Sequence, residues 1–317
     1  MKKIVAALTL AAASLGAGAQ DFPSKTVTFV VPFASGTATD TFARALGQAI
    51  SEATKQSVLV DNKPGASGMI AAQFVAKAPA DGYTMLFTTN TTHAANEHLY
   101  RKLSYDPVKD FAPVALLGKG GQVLVVRNDI PAKSVGEFIA LAKKSPGRIN
   151  FASGSSSSRI AVELFQQMAG VELLHVPYKS NTLGVTDMLG GTIDMMITDT
   201  TTGLPQVQAG KLRALGYSDS KRSRLAPDVP TIAEAGVKGY EMTYWFAAYA
   251  PAGTPAPVVR RLNELLVAAT RSGTAKAFFD KTGVDPATTT PEGLAAFQAT
   301  ETRKWGEIVK KANIQPE

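Results

Sequence analysis

The feature that most constrains this chain is an alternation. Short β-branched or aromatic runs give way repeatedly to segments whose apolar residues recur at helical spacing. VTFVV (27–31) precedes a helix that places Phe42, Leu46, Ala49 and Ile50 on one face. VLVD (58–61) precedes a helix from about Met69 to Ala78, and YTMLFTT (83–89) follows. After a looser Pro-containing stretch come the strand QVLVVR (122–127), the helix SVGEFIALAKK (134–144), the strand INFAS (149–153) and a helix from Ser158 to Ala169. VELLHVPY (171–178), a short helix ending near Leu189, IDMMIT (193–198), a helix to Ala209 and KLRALGY (211–217) continue the series. Such βα alternation predicts an α/β fold of mostly parallel sheets with helices on both faces. No period of roughly 20–50 residues repeats, which excludes a solenoid.

Two stretches read as crossings between domains: the Gly-rich segment Leu116 to Gln122, and Ala235 to Tyr240 after the Pro-rich PDVPT. Two crossings make residues 121–237 one lobe and join 20–120 with 238–317 into the other. The tail is helical. PAPVVRRLNELLVAAT (255–270) carries Pro257 near its first turn, where helices tolerate it, and a last helix from about Pro291 to Lys311 aligns Leu294, Phe297, Trp305 and Ile308.

Residues 1–19, MKKIVAALTLAAASLGAGA, have two lysines, an apolar run and a small-residue cleavage site, the pattern of a secretory signal peptide. The run is too short to cross about 30 Å of hydrocarbon. The expected mature protein is exported, soluble and monomeric. The chain has no cysteine, so export brings no disulfide, no lipid anchor and no Cys-based zinc site. Its three histidines (His93, His98, His175) are too few and scattered for a catalytic metal cage, and no cofactor is implied. His175, in an apolar strand, reads as a core residue. Loss of Lys2 and Lys3 leaves 31 basic against 26 acidic residues, a charge of +5, spread rather than clustered. Nucleic-acid binders concentrate such charge on one face. A mild positive field favours anionic solutes.

The chemistry sits in the strand–helix turns. VPFASGTATD (31–40) places Ser35, Gly36, Thr37 and Thr39 between a strand and a helix, with no Lys, Arg or His in reach. A turn of this kind lies at the carboxyl end of a parallel sheet, where α/β proteins bind ligands. The helix start offers unpaired N–H groups and the positive end of the macrodipole, an anion cradle without a formal charge. FASGSSSSRI (151–160) repeats the design with Gly154, Ser155, Ser156, Ser157 and Ser158, and Arg159 adds a charge. The bland alternative for the first turn is that Thr37 or Thr39 only caps the helix; serine runs are often flexible linkers, but the second turn sits tightly between a strand and a helix. Further candidates at strand ends are Thr88, Thr89 and Asn90, the turn from Tyr178 and Lys179 to Thr182, and Asp199, which either meets a ligand or caps the next helix. No G-x-S-x-G elbow, P-loop or dinucleotide fingerprint is present, so a secreted serine hydrolase is the weaker reading.

Five stretches carry a resemblance: VPFASGTATD (31–40), NKPGASGMIAAQFVAKAPADGYTML (62–86), PGRINFASGS (146–155), PDVPTIAEAGVKGYEMTYW (228–245) and APAGTPAPVVRRLNE (250–264). Together they resemble the substrate-binding proteins of tripartite tricarboxylate transporters, the Bug-type periplasmic receptors. The resemblance implies a two-lobed periplasmic-binding fold, type II-like, whose hinge of two crossings closes on a small carboxylate, with transient delivery to membrane permease subunits. It implies that Phe33, Ala34 and the rest of the turn to Thr39, together with Ser153 to Ser158, pin a carboxylate, and that Asp40 organises the first turn. It places the far end of the ligand near Thr88 to Asn90, Tyr178 to Thr182 and 198–200; the additional hydroxyls and Arg159 favour an anionic, oxygen-rich ligand, a dicarboxylate or aromatic carboxylate. The chain departs from the family pattern inside that pocket: Ser35-Gly36-Thr37 replaces Pro-Gly-Gly, Arg159 replaces His, and Thr198-Asp199 replaces Asp-Asn. A sensor or scavenger of the same fold is the alternative role.

Overall fold

The computed structural model describes residues 22–316, so the predicted leader lies outside the described residues. The first half opens with β1 (Val27–Val31), α1 (Ala38–Thr54), β2 (Val58–Asn62), α2 (Met69–Ala76) and β3 (Thr84–Thr89). A π-helical turn, Thr91–Ala95, then runs into the single turn α3 (Asn96–Leu99). β4 (Phe111–Arg127) follows, then α4 (Val135–Lys144), β5 (Asn150–Ser153), α5 (Ser156–Ala169), β6 (Leu174–Pro177), α6 (Asn181–Leu189) and β7 (Met195–Asp199). The rest comprises α7 (Thr200–Gln208), β8 (Leu212–Tyr217), β9 (Thr243–Pro251), α8 (Ala256–Ala269), α9 (Gly273–Thr282), β10 (Asp285–Pro286) and α10 (Pro291–Lys311).

The strands order as β2-β1-β3-β9-β4-β7-β5-β6. Both ends of that order are parallel, β1 with β2 and β3, and β5 with β6 and β7. The strands between them run antiparallel: β9 pairs with β3 and β4, and β4 with β7 and β8. β4 is the joint. Its first part, Phe111–Gly121, pairs with β9, and its second part, Gln122–Arg127, pairs with β7 and β8. The Gly-rich segment expected as a crossing is therefore continuous strand.

The glycines in it make room for aromatic rings. A Cβ on Gly120 would meet the Tyr244 ring at 2.8 Å, and one on Gly121 the Tyr217 ring at 2.5 Å. The Tyr217 hydroxyl in turn accepts from Gly121 N at 2.9 Å. Ser218 ties β4 to the chain entering β9: its Oγ accepts from Gln122 N at 2.6 Å and donates to Met242 O at 2.5 Å.

α1 shows why the helices start where they do. Thr37 caps it by accepting from Asp40 N, and the helix begins at Ala38. Phe42, Ala43, Leu46 and Ile50 form its buried face. Likewise Ser155 caps α5, which begins at Ser156 rather than Ser158 and ends at Gly170 in the left-handed region, φ +63. Four elements were not expected: β9, α9, β10 and the turn 91–99. β9 runs TYWFAAYAP and is buried on both faces, so it lacks the alternation that marks a half-exposed strand.

Phe42 anchors the core beneath α1. Its ring stacks on Phe278 with centroids 4.5 Å apart and meets Phe87, Phe246 and Phe279 edge-on at 5.2–5.6 Å. We expect Phe42→Ala to cost about 3–5 kcal/mol, read as a lowered urea midpoint with helix content unchanged under native conditions.

Candidate functional site

The first turn is built around a carboxylate. Asp40 Oδ2 accepts from Gly36 N (2.9 Å), Arg44 Nε (3.1 Å) and Ser35 Oγ (3.4 Å). Its Oδ1 accepts from Asn62 Nδ2 (3.0 Å) and meets Arg44 Nη2 at 2.8 Å. Burial alone would raise the pKa of Asp40, but Arg44, Gly36 N–H and Asn62 outweigh it and hold the carboxyl below its ordinary range. Gly36 sits at φ +82 with open space where a Cβ would stand, so glycine is needed there for its backbone conformation alone. Asp40 thus engages both the Gly36 N–H and the Ser35 hydroxyl. Phe33, Thr37, Ala38 and Thr39 are the residues of this turn that line the inner cavity, whereas Ala34, Ser35, Gly36 and Asp40 do not.

The second turn sorts its serines by direction. Ser155 Oγ caps α5 by accepting from Ser158 N at 3.2 Å and lies 3.1 Å from Ser157 Oγ; both serines line the inner cavity. Ser156 Oγ reaches back to the first half and donates to Asn96 Oδ1 at 2.8 Å. Ser158 Oγ donates to Ile197 O at 2.6 Å and lines neither cavity. Gly154 allows the 178–182 turn to pack against it. A Cβ there would stand 1.9 Å from the Ser180 carbonyl carbon, and Gly154 N donates to Asn181 Oδ1 at 2.9 Å.

These two turns face one cavity with about 440 Å³ of empty space, counting the space open to solvent at its mouth. Thr89 and Asp199 complete the expected part of its lining. Gln122, Tyr244 and Phe246 are lining residues that the sequence reading missed, and Asn181 is the residue of the expected 178–182 turn that lines it. Asp199 both caps and lines. Its Oδ1 accepts from Thr202 N at 2.9 Å, and its Oδ2 accepts from Asn181 Nδ2 at 3.2 Å. Gln122 Oε1 is buried with no hydrogen-bond partner among the described residues, and the buried Tyr244 hydroxyl pairs with Thr200. Burial, with Asp199 nearby, pushes the Tyr244 hydroxyl well above its ordinary pKa.

An outer cavity of about 970 Å³ shares Phe33, Gly154 and Ser155 with the inner one. Arg159, Tyr178, Lys179, Ser153 and Ser156 line it, and so does His175. His175 was expected in the core. It is half-buried instead, with Nε2 2.7 Å from Ser153 Oγ and its ring stacked on Phe151. Arg159 lies 3.9 Å from Glu163. Tyr178 donates to Asp187 Oδ2 at 2.6 Å, and that bond pushes its hydroxyl up to about 12. Thr182 is exposed and lines neither cavity; its neighbour Asn181 takes the inward position.

Thr88 and Asn90 are buried behind the cavity wall. Thr88 Oγ1 lies 2.6 Å from Thr92 Oγ1, which lies 2.9 Å from His93 Nδ1. His93 is fully buried and stacked on Tyr249 at 3.8 Å, and burial lowers its pKa to about 3. Among the described residues no cluster of three His, Cys, Asp or Glu is arranged to hold a metal ion, and no helix is long and apolar enough to cross a membrane.

Two parallel sheet halves joined through one shared strand, with a donor-lined cavity at the carboxyl ends of β1 and β5, define a periplasmic-binding-protein architecture. The chain belongs to the family described as "Tripartite tricarboxylate transporter family receptor", whose model matches residues 42–314. It is 32% identical over 322 residues to BugT of Bordetella pertussis, covering 99% of each chain. It superposes on the R. palustris protein Rpa4515 "with adipate" at TM-score 0.91 and 37% identity, covering 94% of this chain and 100% of that one. It superposes on MatC of Rhodopseudomonas palustris "with bound malate" at TM-score 0.85 and 32% identity, covering 91% and 100%. The family and these neighbours are binding receptors, not enzymes.

The neutral imidazole of His93 carries a pH prediction. Its folded pKa lies below the ordinary histidine value, so its contribution is fully present above about 6.5 and is lost as pH falls from there towards about 3. We expect acidification from pH 7 to 5 to lower the unfolding free energy of wild type by about 2 kcal/mol more than that of His93→Phe, measured by urea titration at the two pH values.

Proposed function

We propose that this chain is a solute receptor that captures a small organic carboxylate between the N-termini of α1 and α5. The carrying observation is that Thr37 and Ser155, the caps of those two helices, line one cavity together. A helix start leaves its first N–H groups without intrahelical partners. Each cap hydroxyl takes up one of these, so the remaining first-turn donors of both helices converge on the same volume. Neighbours solved with adipate and with malate support a carboxylate as the solute. A micromolar complex needs about 8 kcal/mol. Charge-assisted hydrogen bonds contribute roughly 1.5–3 kcal/mol each, so four or five of them reach that range after association costs.

In this reading residues 20–120 with 238–317 form one lobe and 121–237 the other. They close about β4 and the strand-to-strand crossing that Ser218 fastens, and the ligand favours the closed state by binding it more tightly. The receptor works as a monomer in the periplasm after removal of residues 1–19, and passes its solute to the permease subunits of a tripartite transporter. Family membership supports this delivery role over a sensor or scavenger.

Calorimetry with a panel of mono-, di- and tricarboxylates tests the reading; no heat from any of them overturns it. Ser155→Ala should weaken the best ligand by about tenfold, about 1.4 kcal/mol, while the protein stays folded by circular dichroism. Small-angle scattering should show a smaller radius of gyration with ligand than without. Deleting the receptor should abolish uptake of the labelled solute by cells.

A further inference from the structure

The inner cavity is asymmetric in charge. Among the described residues Asp199 is the one charged side chain on its wall, and it is anionic. One buried polar atom on the same wall, Gln122 Oε1, has no hydrogen-bond partner among the described residues, although Gln122 is only 1% exposed; the Tyr244 hydroxyl beside it is 4% exposed and pairs with Thr200. Phe33, Ala38 and Phe246 supply apolar surface beside them. The donors come from helix starts, and the remaining polar groups are a carboxylate, a hydroxyl and an amide that can turn either way.

We infer that the ligand carries one carboxylate and, beyond a short apolar stretch, a hydrogen-bond donor such as a hydroxyl or an ammonium that meets Asp199, Gln122 and Tyr244. The inference rests on the carboxylate-receptor reading and narrows it. A second carboxylate against Asp199 would place like charges together where little water screens them. A donor there forms a charge-assisted bond to Asp199 and satisfies Gln122 Oε1, otherwise left unpaired. The cations near the site, Arg159 and Lys179, line the outer cavity instead. A dicarboxylate would therefore have to extend outwards through the mouth. Asp199 selects among carboxylates by the group at their other end.

The test is calorimetry on the full mature chain with four-, five- and six-carbon series, each comparing the α,ω-diacid, the ω-hydroxy acid, the ω-amino acid and the unsubstituted monoacid. The tightest ω-hydroxy or ω-amino acid should bind at least about tenfold more tightly than the diacid of equal length. Asp199→Asn should reduce that ratio at least about tenfold, while shifting the monoacid less than about threefold. Asparagine caps helices as well as aspartate does, so α7 is retained, and an unchanged melting temperature checks it. Diacids binding more tightly than their hydroxy and amino counterparts, or a ratio unchanged in Asp199→Asn, overturns this inference and leaves the receptor reading standing. Weakening of a preferred diacid by Lys179→Ala would then assign its second carboxylate to the outer cavity. No binding by any carboxylate tried overturns the receptor reading and this inference with it.

Discussion

A helix cannot satisfy its own first turn. Everything distinctive about this cleft follows from that constraint, because N–H groups at the starts of α1 and α5 must find partners outside their helices. The chain answers twice in the same way. One hydroxyl caps each helix, Thr37 in the first and Ser155 in the second. A further group then locks the preceding turn: the Asp40 carboxylate closes the first, and Asn181 holds the second through Gly154. The locking matters as much as the capping. A cradle of backbone donors discriminates only if its backbone is fixed before the ligand arrives, since ordering it on binding would offset part of the affinity. Arg44 and Asn62 hold Asp40, and Asp199 holds Asn181, so each turn is braced from behind.

The strand–helix alternation and both hydroxyl-rich turns were legible in the sequence because their causes are local. Apolar periodicity, a cap residue and a glycine act within a few positions of themselves. The use of each hydroxyl was not legible. Ser35 turns to Asp40, Ser156 to Asn96 sixty residues earlier, and Ser158 to the Ile197 carbonyl. Of the four serines in a row, two face the inner cavity, and only long-range packing decides which. Gln122 and Tyr244 were missed for a related reason. Tyr244 lies on β9, whose two faces are both buried, so its apolar run has no period to separate strand from helix. Gln122 stands where β4 passes from β9 to β7 and β8, a position defined by pairing alone.

The glycines of β4 show how composition can mislead about mechanics. A Gly-rich stretch reads as a flexible link, and glycine in a strand does weaken it. Here Gly120 and Gly121 are in ladder conformation and lie under the Tyr244 and Tyr217 rings. The absence of side chains admits aromatic surface, so the passage between the two sheet halves is packed. Any bending there happens against tyrosine rings, with Ser218 holding the neighbouring strands together.

β4 also governs how the molecule comes apart. At 17 residues it extends about 55 Å, and each sheet half pairs with a different part of it. Pulling one half loose strips hydrogen bonds from a strand whose continuation sits in the middle of the other. Neither half has a complete sheet of its own to fall back on. Melting is therefore a shared event, and damage in one half lowers the stability of the whole.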